Sequence, residues 1–186
     1  MRILILCATA AFTLTTCAAP KPLPRPTVAP RVNTTVMQPQ VPVSKPVVVQ
    51  PTGHWTDWPI ALGTWSYVED DRGSIARYGA AGKDAVVMLR CDKSRARLYL
   101  SRAANAGGSM TVRTSSASKA LPVQLTNNQA SGNQATYVAS ELTIGDPILD
   151  AMAFSRGRIA FELAGAQNIA IPVWSEIGRV TQDCRP

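Results

Sequence analysis

Nine of the fourteen prolines in this 186-residue chain fall between positions 20 and 51, and that clustering decides which part of the chain can fold. Proline has no N–H to give to a helix or a sheet ladder, and its φ is held near the polyproline II value, so a stretch this dense in it builds neither. Val, Thr, Gln and basic residues fill the intervals, and no Asp or Glu occurs from Cys17 to Gly53. Residues 17–53 are therefore expected to form a semi-rigid, solvated stalk. Fully extended at about 3.1 Å per residue it would reach on the order of 110 Å, and as a flexible coil about 35 Å. Folding is left to 54–186, a length suited to one modest domain.

Upstream of the stalk, Arg2 precedes the twelve-residue apolar run Ile3–Leu14. That length fits a signal-peptide core and falls short of the roughly 20 residues a bilayer-spanning helix needs, so 1–16 reads as a secretory signal. The segment Leu14-Thr-Thr-Cys17 resembles a bacterial lipobox, which implies lipid attachment at Cys17; Thr16 departs from the small residue usual before the Cys. Ordinary secretion of a soluble chain is the alternative. Cysteine arithmetic favours the lipid: Cys7 leaves with the signal, Cys17 is modified, and Cys91 and Cys184 remain as an even pair in an oxidising compartment. A bridge between them would close a loop worth about 4 to 5 kcal/mol in chain-entropy terms. The expected location is the periplasmic side of a bacterial cell envelope, held by a lipid anchor in the membrane.

The domain reads as mainly β, a small antiparallel β-sandwich or barrel-like fold with two short helices in its C-terminal third. Gly63–Val68 and Ser74–Tyr78 flank the turn Asp70-Asp-Arg-Gly73 as a hairpin. Ala85–Cys91 alternates, with Val87, Leu89 and Cys91 on one face and Val86, Met88 and Arg90 on the other. Arg95–Leu100 alternates likewise, placing Ala96, Leu98 and Leu100 inward. Further strands are expected at Met110–Thr114, Leu121–Leu125, Thr136–Leu142, Arg158–Leu163 and Asn168–Val173. Asp146 is a suitable cap for a helix with Pro147 in its first position and Gly157 at its end. Ser175–Cys184 spaces Ile177, Val180 and Cys184 three and four apart, as an amphipathic helix does.

Few residues carry recognisable chemistry. His54 is the only histidine, at the stalk boundary, where a capping or solvated role is expected. The cluster Glu69-Asp70-Asp71 sits in a turn, where carboxylates are solvated, and Gly79-Ala-Ala-Gly-Lys83 lacks phosphate-loop spacing and reads as a hairpin turn. No catalytic residue, metal ligand or cofactor site is assigned. Two surface features remain as candidate binding surfaces. Arg90, Arg95, Arg97 and Arg113 fall on polar strand faces, where they would make either a solvated outer face or a basic patch for anionic envelope material. Trp55, Trp58 and Trp65 cluster near the domain entrance, either packing the stalk onto the sheet or offering rings to a glycan or protein partner.

The segments Ala85–Cys91, Ser109–Thr114, Leu149–Gly157 and Asp183-Cys-Arg185 resemble those of secreted proteins of sphingomonad-type alphaproteobacteria, over about residues 60–186. The order of elements is also similar to that of the invasion-associated locus B family. These resemblances imply a small envelope β-sandwich and no catalytic or cofactor positions. The expected function is that of a non-enzymatic binding or structural module, with a carboxylate enzyme acting on cell-wall polymer, or an inhibitor of a cell-wall hydrolase, as alternatives. Nucleic acid is excluded by charge placement. The formal +7 divides into +1 on the signal, +4 on the stalk and +2 on the domain, where fourteen Lys and Arg face all twelve Asp and Glu.

Overall fold

The computed structural model describes residues 49–126 and 135–186; the signal 1–16, Cys17, stalk residues 18–48 and the loop 127–134 lie outside the described residues. The described part is mainly β, with nine strands and two short helices. The strands are β1 (Thr64–Asp70), β2 (Gly73–Gly79), β3 (Val87–Asp92), β4 (Arg97–Ala103), β5 (Gly108–Arg113), β6 (Ser118–Thr126), β7 (Tyr137–Thr143), β8 (Arg158–Leu163) and β9 (Ile169–Pro172). The helices are α1 (Pro147–Ala153), before β8, and α2 (Ser175–Asp183), after β9. A single turn of 3-10 helix, Trp55–Asp57, precedes them all.

Every strand pairing is antiparallel, in the order β1-β2-β3-β4-β7-β6-β5-β8-β9. The sheet folds over on itself at β6, whose residues Ser118–Val123 pair with β5 while Gln124–Thr126 pair with β7. Leu89, Leu98, Leu100 and Val138 from one half and Met110, Val112, Phe161 and Ile171 from the other are all buried in one core. The two edges also meet. Ile60 bridges to Ala170 of β9, and the Trp65 indole N–H on β1 donates to the Pro172 carbonyl at 2.9 Å. The result stands between a sandwich and a barrel.

Local rules account for most elements. Val87, Leu89 and Cys91 are buried while Met88 and Arg90 on the opposite face are half-buried, the alternation expected of β3. Gly73, which opens β2 after the turn, adopts φ 141°, and a Cβ there would stand 2.7 Å from the Cys91 carbonyl oxygen, so the close approach of hairpin to β3 needs glycine. The Asp146 side chain accepts from the Ile148 N–H at 3.0 Å and caps α1 above the buried Ile148, Leu149 and Met152. Cys91 and Cys184 form a disulfide with Cα atoms 5.5 Å apart, tying the end of α2 to β3 across 93 residues.

Two boundaries differ from expectation. Strand β4 starts at Arg97, because Ala96 sits at φ 48° in a turn closed by its N–H on the Lys93 carbonyl and is exposed. Beyond Leu100 the same strand continues to Ala103, carrying Arg102 inward. Helix α1 stops at Ala153, with the Phe154 N–H bonded to Asp150, and Gly157 (φ 82°) serves the turn into β8 instead.

Candidate functional site: a basic cleft on the outer sheet face

Antiparallel register sets side chains from neighbouring strands in rows. On the outward face of the first half, Ile75, Arg90 and Tyr99 form one row across β2, β3 and β4, and Arg77, Met88 and Ser101 form the next. With Thr64 and Ser66 of β1, Thr126 of β6, Tyr137 and Ala139 of β7 and the turn 79–85, they line a cleft of about 1100 Å³. Among the described residues five cations line it, Arg72, Arg77, Lys83, Arg90 and Arg95, against one carboxylate, Asp84. A cleft lined mainly by one sign of charge concentrates its field and draws counter-charged ligands.

Two carboxylates just outside the lining hold part of this set in place. Asp70 receives both guanidinium nitrogens of Arg90, at 2.9 and 2.7 Å, and that hydrogen bond lowers its pKa to about 2. Asp92, the last residue of β3, is buried and accepts from the Ser94 hydroxyl at 2.7 Å, the Arg72 guanidinium at 3.0 Å and the Arg95 N–H at 3.2 Å. The bond from Ser94, then that from Arg72, holds its carboxyl below the usual carboxylate range. One buried acid thus fixes Arg72 and the backbone of Arg95 together.

Arg77, Lys83 and Arg95 make no ion pair among the described residues. Among the described residues the Tyr99 hydroxyl is cut off from solvent and has no hydrogen-bond partner. The turn 79–85 is pinned to the sheet by Val86 N–H on the Tyr78 carbonyl at 2.7 Å and by the Tyr137 hydroxyl on the Ala85 carbonyl at 2.8 Å. It is a hairpin turn, as its spacing suggested, and its side chains join the cleft. Burial, with Asp84 nearby, raises the Tyr137 hydroxyl's pKa.

The arginines singled out in the sequence do not gather into one patch. Arg90 and Arg95 line the cleft. Arg97 pairs with Glu141 at 3.1 Å outside it, and Arg113 lies on β5 in the other half of the sheet, held by Glu162 at 2.6 Å. Arg72, Arg77 and Lys83 were not foreseen as partners. They come from a turn, a strand and a second turn, and only the pairing of β2 with β3 and β4 brings them together.

Trp55, Trp58 and Trp65 offer no exposed platform. Trp58 is buried against Ala160 and Ala170 with its indole N–H on the Gly53 carbonyl at 3.3 Å, Trp55 is half-buried beside it, and Trp65 belongs to the main core. His54 caps the 3-10 turn, its Nδ1 accepting from the Thr56 N–H at 3.5 Å. Among the described residues no three of His, Cys, Asp and Glu are grouped as a metal would require. Glu69 and Asp183 both face the Tyr67 hydroxyl, at 2.6 and 2.7 Å, beneath Arg179, whose guanidinium lies 3.7 Å from the Tyr67 ring centre. That pair is not part of the cleft.

No family model, curated protein or solved structure matches the chain.

Proposed function

We propose that this chain is an exported cell-envelope lipoprotein, tethered through Cys17 and the proline-rich stalk, whose domain is a non-enzymatic binding module for an anionic envelope component. One observation carries the reading: the cleft is lined by five cations and one carboxylate, and three of those cations make no ion pair among the described residues. A domain of net charge +2 that concentrates its surplus in one place is built to receive negative charge there. Among the described residues the lining holds no His or Cys and a single acid, which suits holding a ligand better than general acid–base chemistry. The alternative of a carboxylate enzyme needs two acids facing one cleft, one of them buried. Glu69 and Asp183 share the Tyr67 hydroxyl and are not among the residues that line the cleft.

The test uses the exported Cys17→Ser chain, which lacks the lipid, and isolated cell envelopes. Co-sedimentation should be strong at low salt, fall as salt rises, and be lost in Arg77→Glu/Arg95→Glu. Equal co-sedimentation of that double variant would refute the cleft as the binding site.

A further inference from the structure

The cations of the cleft do not gather at one point. Lys83 lies in the turn that enters β3 and Arg95 in the turn that leaves it, while Arg77 on β2 stands opposite Met88 and Arg90 lies on β3 itself. At about 3.3 Å per residue the six residues of β3 cover roughly 17 Å, so the charges are strung out along the strand. Part of that charge is already spent inside the protein. Asp70 neutralises Arg90, Asp92 neutralises Arg72, and Asp84 follows Lys83 in the same turn. The surplus therefore rests on Arg77, part-way along β3, and on Arg95 beyond its end. From Met88, opposite Arg77, to Asp92, which accepts from the Arg95 N–H, the strand runs roughly 13 Å. Backbone positions this far apart suit a chain with separated negative charges better than one compact anion.

Two further observations narrow the kind of chain. Extended peptides draw their affinity from main-chain hydrogen bonds to an exposed sheet edge. The strands that form the cleft floor, β2, β3 and β4, are each paired on both sides, so their backbone groups are already taken. What the lining offers between the cations is side-chain hydroxyls, those of Thr64, Ser66, Ser101 and Thr126, which match the hydroxyls of a sugar. The cleft volume, about 1100 Å³, also lies just beyond the roughly 300 to 1,000 Å³ of small-molecule sites, as a site for several linked units would. We infer that the ligand is a linear acidic glycan that lies along β3, with one of its negative charges on Arg77 and another on Arg95. This rests on the cleft being the binding site.

Calorimetric titration of the exported Cys17→Ser chain tests this with galacturonate, hexagalacturonate, hexaglutamate and the neutral maltohexaose. Six registers on a single-charge site account for about sixfold tighter binding of the hexamer than of the monomer, whereas spanning two cations should raise the ratio to at least about 100-fold. Hexagalacturonate should also bind at least about tenfold more tightly than hexaglutamate, which finds no free strand edge in the cleft floor. Arg77→Gln and Arg95→Gln should each weaken the hexamer about 10- to 100-fold, whereas Arg113→Gln on the other half of the sheet should leave it unchanged. A hexamer no more than about sixfold tighter than the monomer would overturn the spanning chain. Hexaglutamate binding as tightly would put an acidic peptide in place of the glycan, and maltohexaose binding as tightly would remove the charge from recognition. No binding by any probe, with envelope co-sedimentation still lost in Arg77→Glu/Arg95→Glu, would overturn the acidic glycan and leave the cleft standing. If no probe binds and co-sedimentation ignores the cleft substitutions, both inferences fall.

Discussion

Arg102 follows Leu98 and Leu100 on the inward face of β4, at the point where the apolar pattern of that face stops. It is only 3% exposed, faces the core from β4, and has no carboxylate partner among the described residues. Its guanidinium donates to the Phe161 carbonyl at 3.1 Å and to the Gln167 carbonyl, so one side chain joins the first half of the sheet to β8 and the turn after it. Burial pulls its pKa down to about 10, which leaves it charged at neutral pH. Arg102→Ala should cost about 2 to 4 kcal/mol through the cavity and two orphaned carbonyls. The check is a lower urea midpoint at unchanged slope. Asp70 and Tyr67 set the pH limits. The Asp70 pKa is depressed from 3.8 to about 2, so its pairing with Arg90 stabilises the fold above about pH 4 and is lost as pH falls toward 2. Asp70→Asn should make the urea midpoint less sensitive to acid in that window. Tyr67 is raised from 10.0 to about 12, by burial first and then by its hydrogen bonds to Glu69 and Asp183. The stability held by its neutral form is present below pH 10 and lost through pH 12; Tyr67→Phe should flatten the alkaline limb.

Among elements, α2 depends most on a single link. It lays Ile177, Val180 and Thr181 into the core beside β1, β2 and β3, and its end is fixed by Cys184 to Cys91. For a loop of 93 residues the chain-entropy contribution is about 4 to 5 kcal/mol. Replacing both cysteines by Ala should lower stability by that amount in urea titrations, and a loss well under 1 kcal/mol would show that packing alone holds the helix. Both helices and most strands were legible because period and caps are local signals: Asp146-Pro147 opens α1, and Val87, Leu89 and Cys91 mark one face of β3. The start of β4 was not. Arg95-Ala96-Arg97 alternates like a strand, but Ala96 takes a left-handed turn, and nothing in a polar–apolar pattern distinguishes the two. Its far end was hidden for a related reason, since a cation at the next inward position reads as the close of an apolar face.

For the whole molecule, the uneven division of charge matters more than its total. The domain is nearly balanced, yet five cations and one acid share one cleft. Binding there should weaken steeply between low and physiological salt, because exposed charges are screened over about 8 to 10 Å; a salt-independent affinity measured by calorimetry would argue against an electrostatic site. Two of the five cations of this site were legible. Arg90 and Arg95 stood out as polar-face cations, but Arg72, Arg77 and Lys83 come to line the same cleft only through strand register, which depends on hairpin lengths and core packing and not on any motif. The disulfide also fixes how the domain bears tension. If its amino-terminal end is tethered and its surface is gripped by a ligand, the 93-residue loop from Cys91 to Cys184 cannot be drawn out, however hard the chain is pulled. Only the segment ahead of Cys91 and the last two residues can lengthen. Strands β4 to β9 and both helices are thus closed to extension, and a load from the tether can at most peel away β1, β2 and part of β3, the strands that carry Arg77 and Arg90.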